Sequence, residues 1–285
     1  MKSLKEYILE RLQINFGSAK SEYGQCIILA GGPGSGKGYI ERNHILANYK
    51  IMNVDDLKKK YIKLQKKGLI DDEYQYDLTK PEDTFALHAK VKQHGWKNKE
   101  RKHFWASQNS KVNKESLSNI LFDMVAGDPE DVLEIIAMAK PIGYKITLIW
   151  ICANMQSAIE GNAKRDRKVP LSVLEKGHKE AYKTINDILD NKYPEITDGI
   201  DYMWIALSAG PGRVFTKEYE KDQTIKIKKD SNGNFNYDRK DFVEKFLSEQ
   251  MPLDPESKET KKEKEEMRKR KLTPSKYGLE TKFSR

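Results

Sequence analysis

Short, bulky, apolar runs alternate along this chain with longer stretches in which apolar residues recur every three or four positions. The runs at 25–30 (QCIILA), 50–54 (KIMNV), 119–123 (NILFD), 144–152 (YKITLIWIC) and 201–207 (DYMWIAL) predict five strands. None shows the in-and-out alternation of a half-solvated strand, so the pattern predicts burial on both faces, as in a parallel sheet covered by helices. Helical spacing occupies 36–47, 128–141, 154–164 and 171–191. Asp128-Pro129 opens one of these helices: Asp caps free N–H groups, and Pro at the first helical position gives up no hydrogen bond. The expected class is therefore α/β, a parallel sheet with helices on both faces.

Between the second and third runs, 57–118 contains no strand of its own and predicts a mostly helical insert. Residues 1–22 read as an amphipathic N-terminal helix, and the core is expected over 23–208. Beyond it, 209–256 predicts a hairpin and helix extension, with Asn232-Gly233 supplying the turn between 223–228 and 235–237. Residues 257–285 mix charges densely and predict a basic flexible tail.

Charge sharpens this division. The net charge is +9 over 285 residues, but the tail alone holds 11 Lys/Arg against 5 Glu, and 88–114 holds 8 Lys/Arg against 1 Glu. The remainder is mildly acidic, so the basicity belongs to two segments. No run of about 18 apolar residues is present, which argues against a membrane span and for a cytoplasmic location. Cys26 and Cys152 each sit inside a strand-like run, without ligand spacing, and read as buried thiols of a reducing compartment.

The strongest chemical signal is GGPGSGKG at 31–38, between an apolar strand and a helical pattern. Gly31, Gly32, Pro33, Gly34, Ser35, Gly36, Lys37 and Gly38 form a phosphate-binding loop. Its backbone N–H groups turn onto phosphate oxygens, the following helix adds its positive end, and Lys37 meets the terminal phosphates of ATP. This motif specifies the fold class as a P-loop NTPase or kinase with a helical substrate insert. Gly38 stands where most such loops carry a Ser or Thr hydroxyl for Mg²⁺, so the metal is expected on water and on carboxylates elsewhere.

Asp55 and Asp56 end the second strand, and Asp123 ends the third, at the sheet edge that faces the phosphates. Asp55 is the candidate base for an attacking hydroxyl, and Asp55 and Asp123 are the candidate Mg²⁺ carboxylates. Asp56 reads equally as a substrate contact or as a cap of the next helix. Arg165 and Arg167, in AKRDRKVP, suit a lid over about 160–172 that clamps the transferring phosphate.

Taken in order, GGPGSGKG, NVDD (53–56), NILFDM (119–124), GYKITLIWI and NAKRDRKVP, with Leu174 and His178 beyond, resemble the zeta-toxin-like P-loop kinases, particularly those encoded by bacteriophages. The likeness covers roughly 20–190. It implies ATP with Mg²⁺ and phosphorylation of a hydroxyl, which in zeta toxins belongs to UDP-N-acetylglucosamine. It also implies Asp55 as base, Arg165 and Arg167 as lid arginines, and substrate contacts near Asp123 and His178. Asp123-Met-Val replaces the family's E-G-T, a departure that leaves the acceptor open, and a helix histidine with a satisfied ring is the alternative for His178.

The basic insert interleaves Lys and Arg with Trp96, Phe104 and Trp105. This pattern reads either as a surface for an anionic, base-bearing partner or as a helix whose rings pack inward. Three functions remain in play. The first is a kinase acting on a hydroxyl of a phosphate-bearing substrate such as a nucleotide sugar. The second is a nucleic-acid kinase using the insert and tail. The third is a nucleotide-binding regulator without turnover. An antitoxin partner is left open, and Gly210 to Arg213 (GPGR) is a candidate base-binding loop.

Overall fold

The computed structural model describes residues 23–44, 49–111, 113–163, 168–208 and 224–248. The N-terminal helix, GPGR, the basic tail, Arg165 and Arg167 fall outside the described residues.

The central strand β1 (Gln25–Ala30) is buried at every position. It pairs in parallel with β3 (Asn119–Met124) on one side and β4 (Lys145–Ala153) on the other. Outside these lie β2 (Tyr49–Asn53), parallel to β3, and β5 (Tyr202–Ser208), parallel to β4. The five predicted strands are thus all present, shifted by at most one residue at either end. Two more extend the sheet: β6 (Thr224–Lys229) pairs antiparallel with β5, and β7 (Phe235–Asn236) antiparallel with β6, giving the order β2-β3-β1-β4-β5-β6-β7. The sheet is mixed and mostly parallel.

One expectation is corrected. β2 is an edge strand, and its Lys50 and Ile51 are exposed rather than buried on both faces. The predicted hairpin is found, with Gly233 at φ +85°, the left-handed geometry that glycine adopts without strain. Its apolar side chains Ile225, Ile227 and Phe235 join the main core. The extension is thus continuous with the sheet.

Helix α1 (Lys37–His44) leaves the glycine-rich loop. The insert follows as α2 (Val54–Lys66), α3 (Pro81–Gln93) and α4 (Trp96–Asn109). Its irregular stretch between α2 and α3 is pinned by Asp72, which accepts from the hydroxyls of Tyr61 (2.8 Å) and Tyr76 (3.0 Å) and pairs with Lys90 at 3.4 Å. Burial disfavours the charged form of Asp72, but these hydroxyls and Lys90 outweigh it and hold the carboxyl below its ordinary range.

Two of the three rings in α4 decide the basic-aromatic pattern. Phe104 and Trp105 are buried, with Trp105 stacked on Phe122 of β3 at 6.0 Å and edge-on to Tyr144 at 5.3 Å. They anchor α4 to the sheet as core side chains. Part of the segment's positive charge is likewise neutralised within the fold. Lys97 pairs with Asp131 (2.7 Å) and the buried Arg101 with Glu134 (2.9 Å), both on α5 (Pro129–Ala139).

Helix α5 starts as its sequence predicts, with Asp128 Oδ1 accepting from Glu130 N at 2.9 Å and Pro129 first in the helix. After β4 come α6 (Met155–Ala163), α7 (Leu171–Leu189) and the short α8 (Pro194–Gly199). A last helix, α9 (Lys240–Ser248), buries Val243 and Phe246 against the main core. Cys26 and Cys152 are free and buried. No helix among the described residues is long and apolar enough to cross a membrane.

Candidate active site

The chain leaves the C-terminal end of β1 at Gly31, where the parallel strands on either side diverge in connectivity and open a crevice. Gly31 N donates to Val125 O just beyond β3 (3.3 Å), which fixes the loop's entry. At its exit Lys37 begins α1, and its side chain folds back through the loop. Nζ donates to Gly31 O at 2.6 Å and Gly32 O at 3.1 Å, and lies 3.7 Å from Asp123 Oδ1. An ammonium that is only 8% exposed requires such partners. Ser35 Oγ, inside the loop, is buried and makes no hydrogen bond among the described residues.

Asp123 is placed opposite Asn53 by the β2–β3 register, and its Oδ2 accepts from Asn53 Nδ2 at 2.7 Å. Asn53 also caps α2, its Oδ1 accepting from Asp55 N at 2.8 Å. The capping role considered for Asp56 therefore belongs to Asn53. One amide thus orients the Asp123 carboxylate with its nitrogen and the first turn of α2 with its oxygen.

The neighbouring aspartates diverge. Asp55 is 27% exposed and pairs at 3.2 Å with Lys58, itself only 8% exposed. Asp56 is 63% exposed and pairs with the exposed Lys59. Asp55 faces the insert, where it acts on His88 of α3. That imidazole's pKa is lowered by withdrawal from solvent and then by Lys58, with Lys92 and Lys97 adding to the effect and Asp55 opposing it. On the other side, Glu41 of α1 has a raised pKa, from burial first and then from the charges of Asp123 and Asp56, against Arg42. Carboxylates 41, 56 and 123 therefore share one electrostatic neighbourhood.

His178 of α7 is placed against the loop. Its Nε2 lies 2.9 Å from Pro33 O, and since a carbonyl only accepts, Nε2 carries the proton. A methyl group on Gly32 would overlap this ring, and one on Gly34 (φ +79°) would overlap the Ala158 carbonyl of α6. Gly177 makes room for Pro33, where an added Cβ would stand 2.8 Å from the proline ring. Helices α6 and α7 thus grip the loop from outside.

Burial, then the charge of Lys37, pushes the His178 pKa from 6.5 down to about 4, against the opposing effect of the Pro33 bond. The neutral ring belongs to the folded state, so between these values the unfolded chain binds more protons. Stability is then full above pH 6.5 and is lost as pH falls toward 4. Moving from pH 7 to pH 5 should cost wild type about 2 kcal/mol more than His178→Gln, read from urea midpoints, by proton linkage. Equal losses in the two proteins would refute this assignment.

Sequence reasoning had singled out the loop, the aspartates and His178. It missed Asn53, Lys58, His88 and Glu41. Asn53 carried a signal, as a capping residue type directly before an Asp pair at a strand end.

A glycine-rich loop at the end of a central parallel strand, with a buried lysine paired to a carboxylate of the adjacent strand, defines a P-loop protein of the kinase type. A family model described as Zeta toxin matches residues 11–203, more than half of the chain, and the chain belongs to that family. Among solved structures it is similar to the AvrRxo1-ORF1:-ORF2 complex with ATP, at 16% identity over 87% of this chain and 72% of that chain, with TM-score 0.48. It is also similar to a chain of the PezAT toxin-antitoxin system of Streptococcus pneumoniae, at 17% identity over 73% of this chain and 78% of that chain, with TM-score 0.41. The deoxyadenosine kinase of M. mycoides with bound dATP shares 13% identity over 67% of this chain and 93% of that chain, with TM-score 0.28. No curated protein matches the chain.

Proposed function

We propose that this protein transfers the γ-phosphate of ATP to a hydroxyl group of a phosphate-bearing small molecule such as a nucleotide sugar. The observation that carries this reading is Lys37, held inside the loop between two backbone carbonyls and Asp123. In that position its charge meets the β and γ phosphates, exchanging the carbonyls for phosphate oxygens. Ser35 Oγ, buried and without a hydrogen bond among the described residues, fits a phosphate partner.

Mg²⁺, when bound with ATP, neutralises the phosphate charge. Gly38 offers it no hydroxyl, and Asp123 and Asp55 are the carboxylates assigned to it, directly or through water. Asp55 is assigned as the base for the acceptor hydroxyl, with Asp56 at the rim. Arg165 and Arg167 are assigned to a lid over about 160–172, and 57–118 to acceptor binding. The ammonium groups of Lys58, paired with Asp55, and of Lys92, acting on the same His88, favour an anionic acceptor. The nucleic-acid reading loses two of its three stacking rings, because Phe104 and Trp105 lie in the core. Family membership brings an inhibitory protein partner as a further expectation.

The test is transfer of labelled γ-phosphate across UDP-sugars, nucleosides, nucleotides and nucleic-acid strands, with Lys37→Ala as the blank. Labelling of a UDP-sugar or another phosphorylated small molecule is expected. Labelling of nucleic acid alone, or ATP binding with no transfer to any acceptor, would overturn the proposal in favour of a nucleic-acid kinase or a regulator.

A further inference from the structure

We infer that His178 is a positioning residue for nucleotide binding: by holding the Pro33 carbonyl against α7 it sets the orientation of the Pro33–Gly34 peptide and aims the Gly34 N–H at the phosphates. The inference rests on the ATP-binding reading above and assigns the loop's shape to a residue 145 positions away.

A phosphate cradle works only while its N–H groups point inward and its carbonyls outward, because one reversed peptide replaces a partial positive charge with a negative one at the anion. Pro33 contributes no N–H, so the next donor along the loop is that of Gly34. Gly34 sits at φ +79°. Ser35 N donates to Gly32 O at 3.3 Å and closes a turn around this peptide, whose Pro-Gly centre favours one orientation, but a glycine has no Cβ to block the other.

A second restraint comes from outside. All peptide bonds of the described residues are trans, and in a trans peptide the carbonyl and the following N–H point to opposite sides. With Pro33 O fixed on His178 Nε2 at 2.9 Å, the Gly34 N–H is directed away from α7.

Two further contacts make the arrangement specific. Gly32 leaves the space that the His178 ring fills, and Gly177, the residue before His178, leaves the space for the Pro33 ring. Thr184, two turns further along α7, donates to Gly127 O at 3.0 Å and ties the helix to the segment after β3. The donor is therefore carried on a fixed support. Its lowered pKa keeps it neutral beside Lys37 at physiological pH, with the proton on the nitrogen that the carbonyl requires.

The test uses the full chain and a fluorescent ATP analogue, without any acceptor. His178→Gln keeps a donor at the reach of Nε2, whereas His178→Asn carries the same amide too short to reach, and His178→Phe keeps the ring without the donor. Wild type and Gln are expected to bind within about threefold of each other, and Asn and Phe about tenfold more weakly, the ordinary effect of one lost hydrogen bond. Thermal unfolding of Gln and Asn should agree within a few degrees, which a merely structural role would not give alongside a split in affinity. Equal affinities for Gln and Asn would overturn the inference while leaving the ATP-binding reading in place, provided Lys37→Ala abolishes binding. Failure of wild type itself to bind the analogue would overturn both.

Discussion

Lys37→Ala should abolish ATP binding and phosphate transfer while leaving the sheet intact. The side chain folds back through the loop, and its partners Gly31, Gly32 and Asp123 lie outside the hydrophobic core. Its loss has two consequences that add. The nucleotide loses the charge that meets its terminal phosphates, and the Asp123 carboxylate, 15% exposed, loses the cation beside it. A carboxylate with one cation fewer beside it receives the triphosphate less favourably, so the variant is worse than one merely lacking a contact. Loss of one such preorganised group typically lowers turnover about 10²–10³-fold, and the added repulsion places this variant at or beyond the upper end. Lys37→Arg should not rescue, because a planar guanidinium cannot make the compact contact with Gly31 O and Gly32 O that a rotating ammonium makes. The measurement is ATP affinity by titration alongside the circular dichroism melting curve. Retained affinity with a wild-type melt would remove Lys37 from the phosphate site.

Much of this architecture was legible in the sequence because its causes are local. Bulky apolar runs such as QCIILA specify buried strands whatever surrounds them, and GGPGSGKG encodes backbone freedom, helix start and charge within eight residues. The features that escaped depend on partners far along the chain. TIKIKK alternates as a half-solvated strand should, but nothing within it names β5 as its neighbour. The six-residue α8 is too short for a helical period to declare itself. KIMNV reads as a buried strand by composition, yet among the described residues no further strand covers the outer edge of β2. In the site, Asp55 and Asp123 announce themselves as carboxylates at strand ends. That Asn53 joins Asp123 to the first turn of α2 follows only from the β2–β3 register, across 70 positions. Trp105 shows the converse: an aromatic ring among lysines suggests a ligand platform, and only the fold reveals Phe122 and Tyr144 as its partners.

The two aspartates after Asn53 should separate sharply by function. Asp55→Asn is expected to lower phosphate transfer by about 10²–10⁴-fold, the usual contribution of a positioned general base, with ATP affinity changed little. Asp56→Asn should stay within about threefold of wild type, as a carboxylate largely in solvent and paired with an exposed lysine contributes little. The difference lies in setting, since the two residues are adjacent and chemically identical. Asp55 is held from one side by its own N–H on Asn53 and from the other by Lys58, so its carboxylate is confined beside that ammonium. Asparagine keeps the shape and an oxygen for Lys58 but cannot take up a proton, so the fold should survive while the chemistry does not. Single-turnover transfer to the acceptor identified in the labelling screen separates the two steps: binding is read from the ATP titration, and the base from the rate at saturating ATP. Full activity in Asp55→Asn would shift the role to Asp56 or to positioning alone. An equal loss in both variants would instead point to an effect on the first turn of α2, which the two aspartates share.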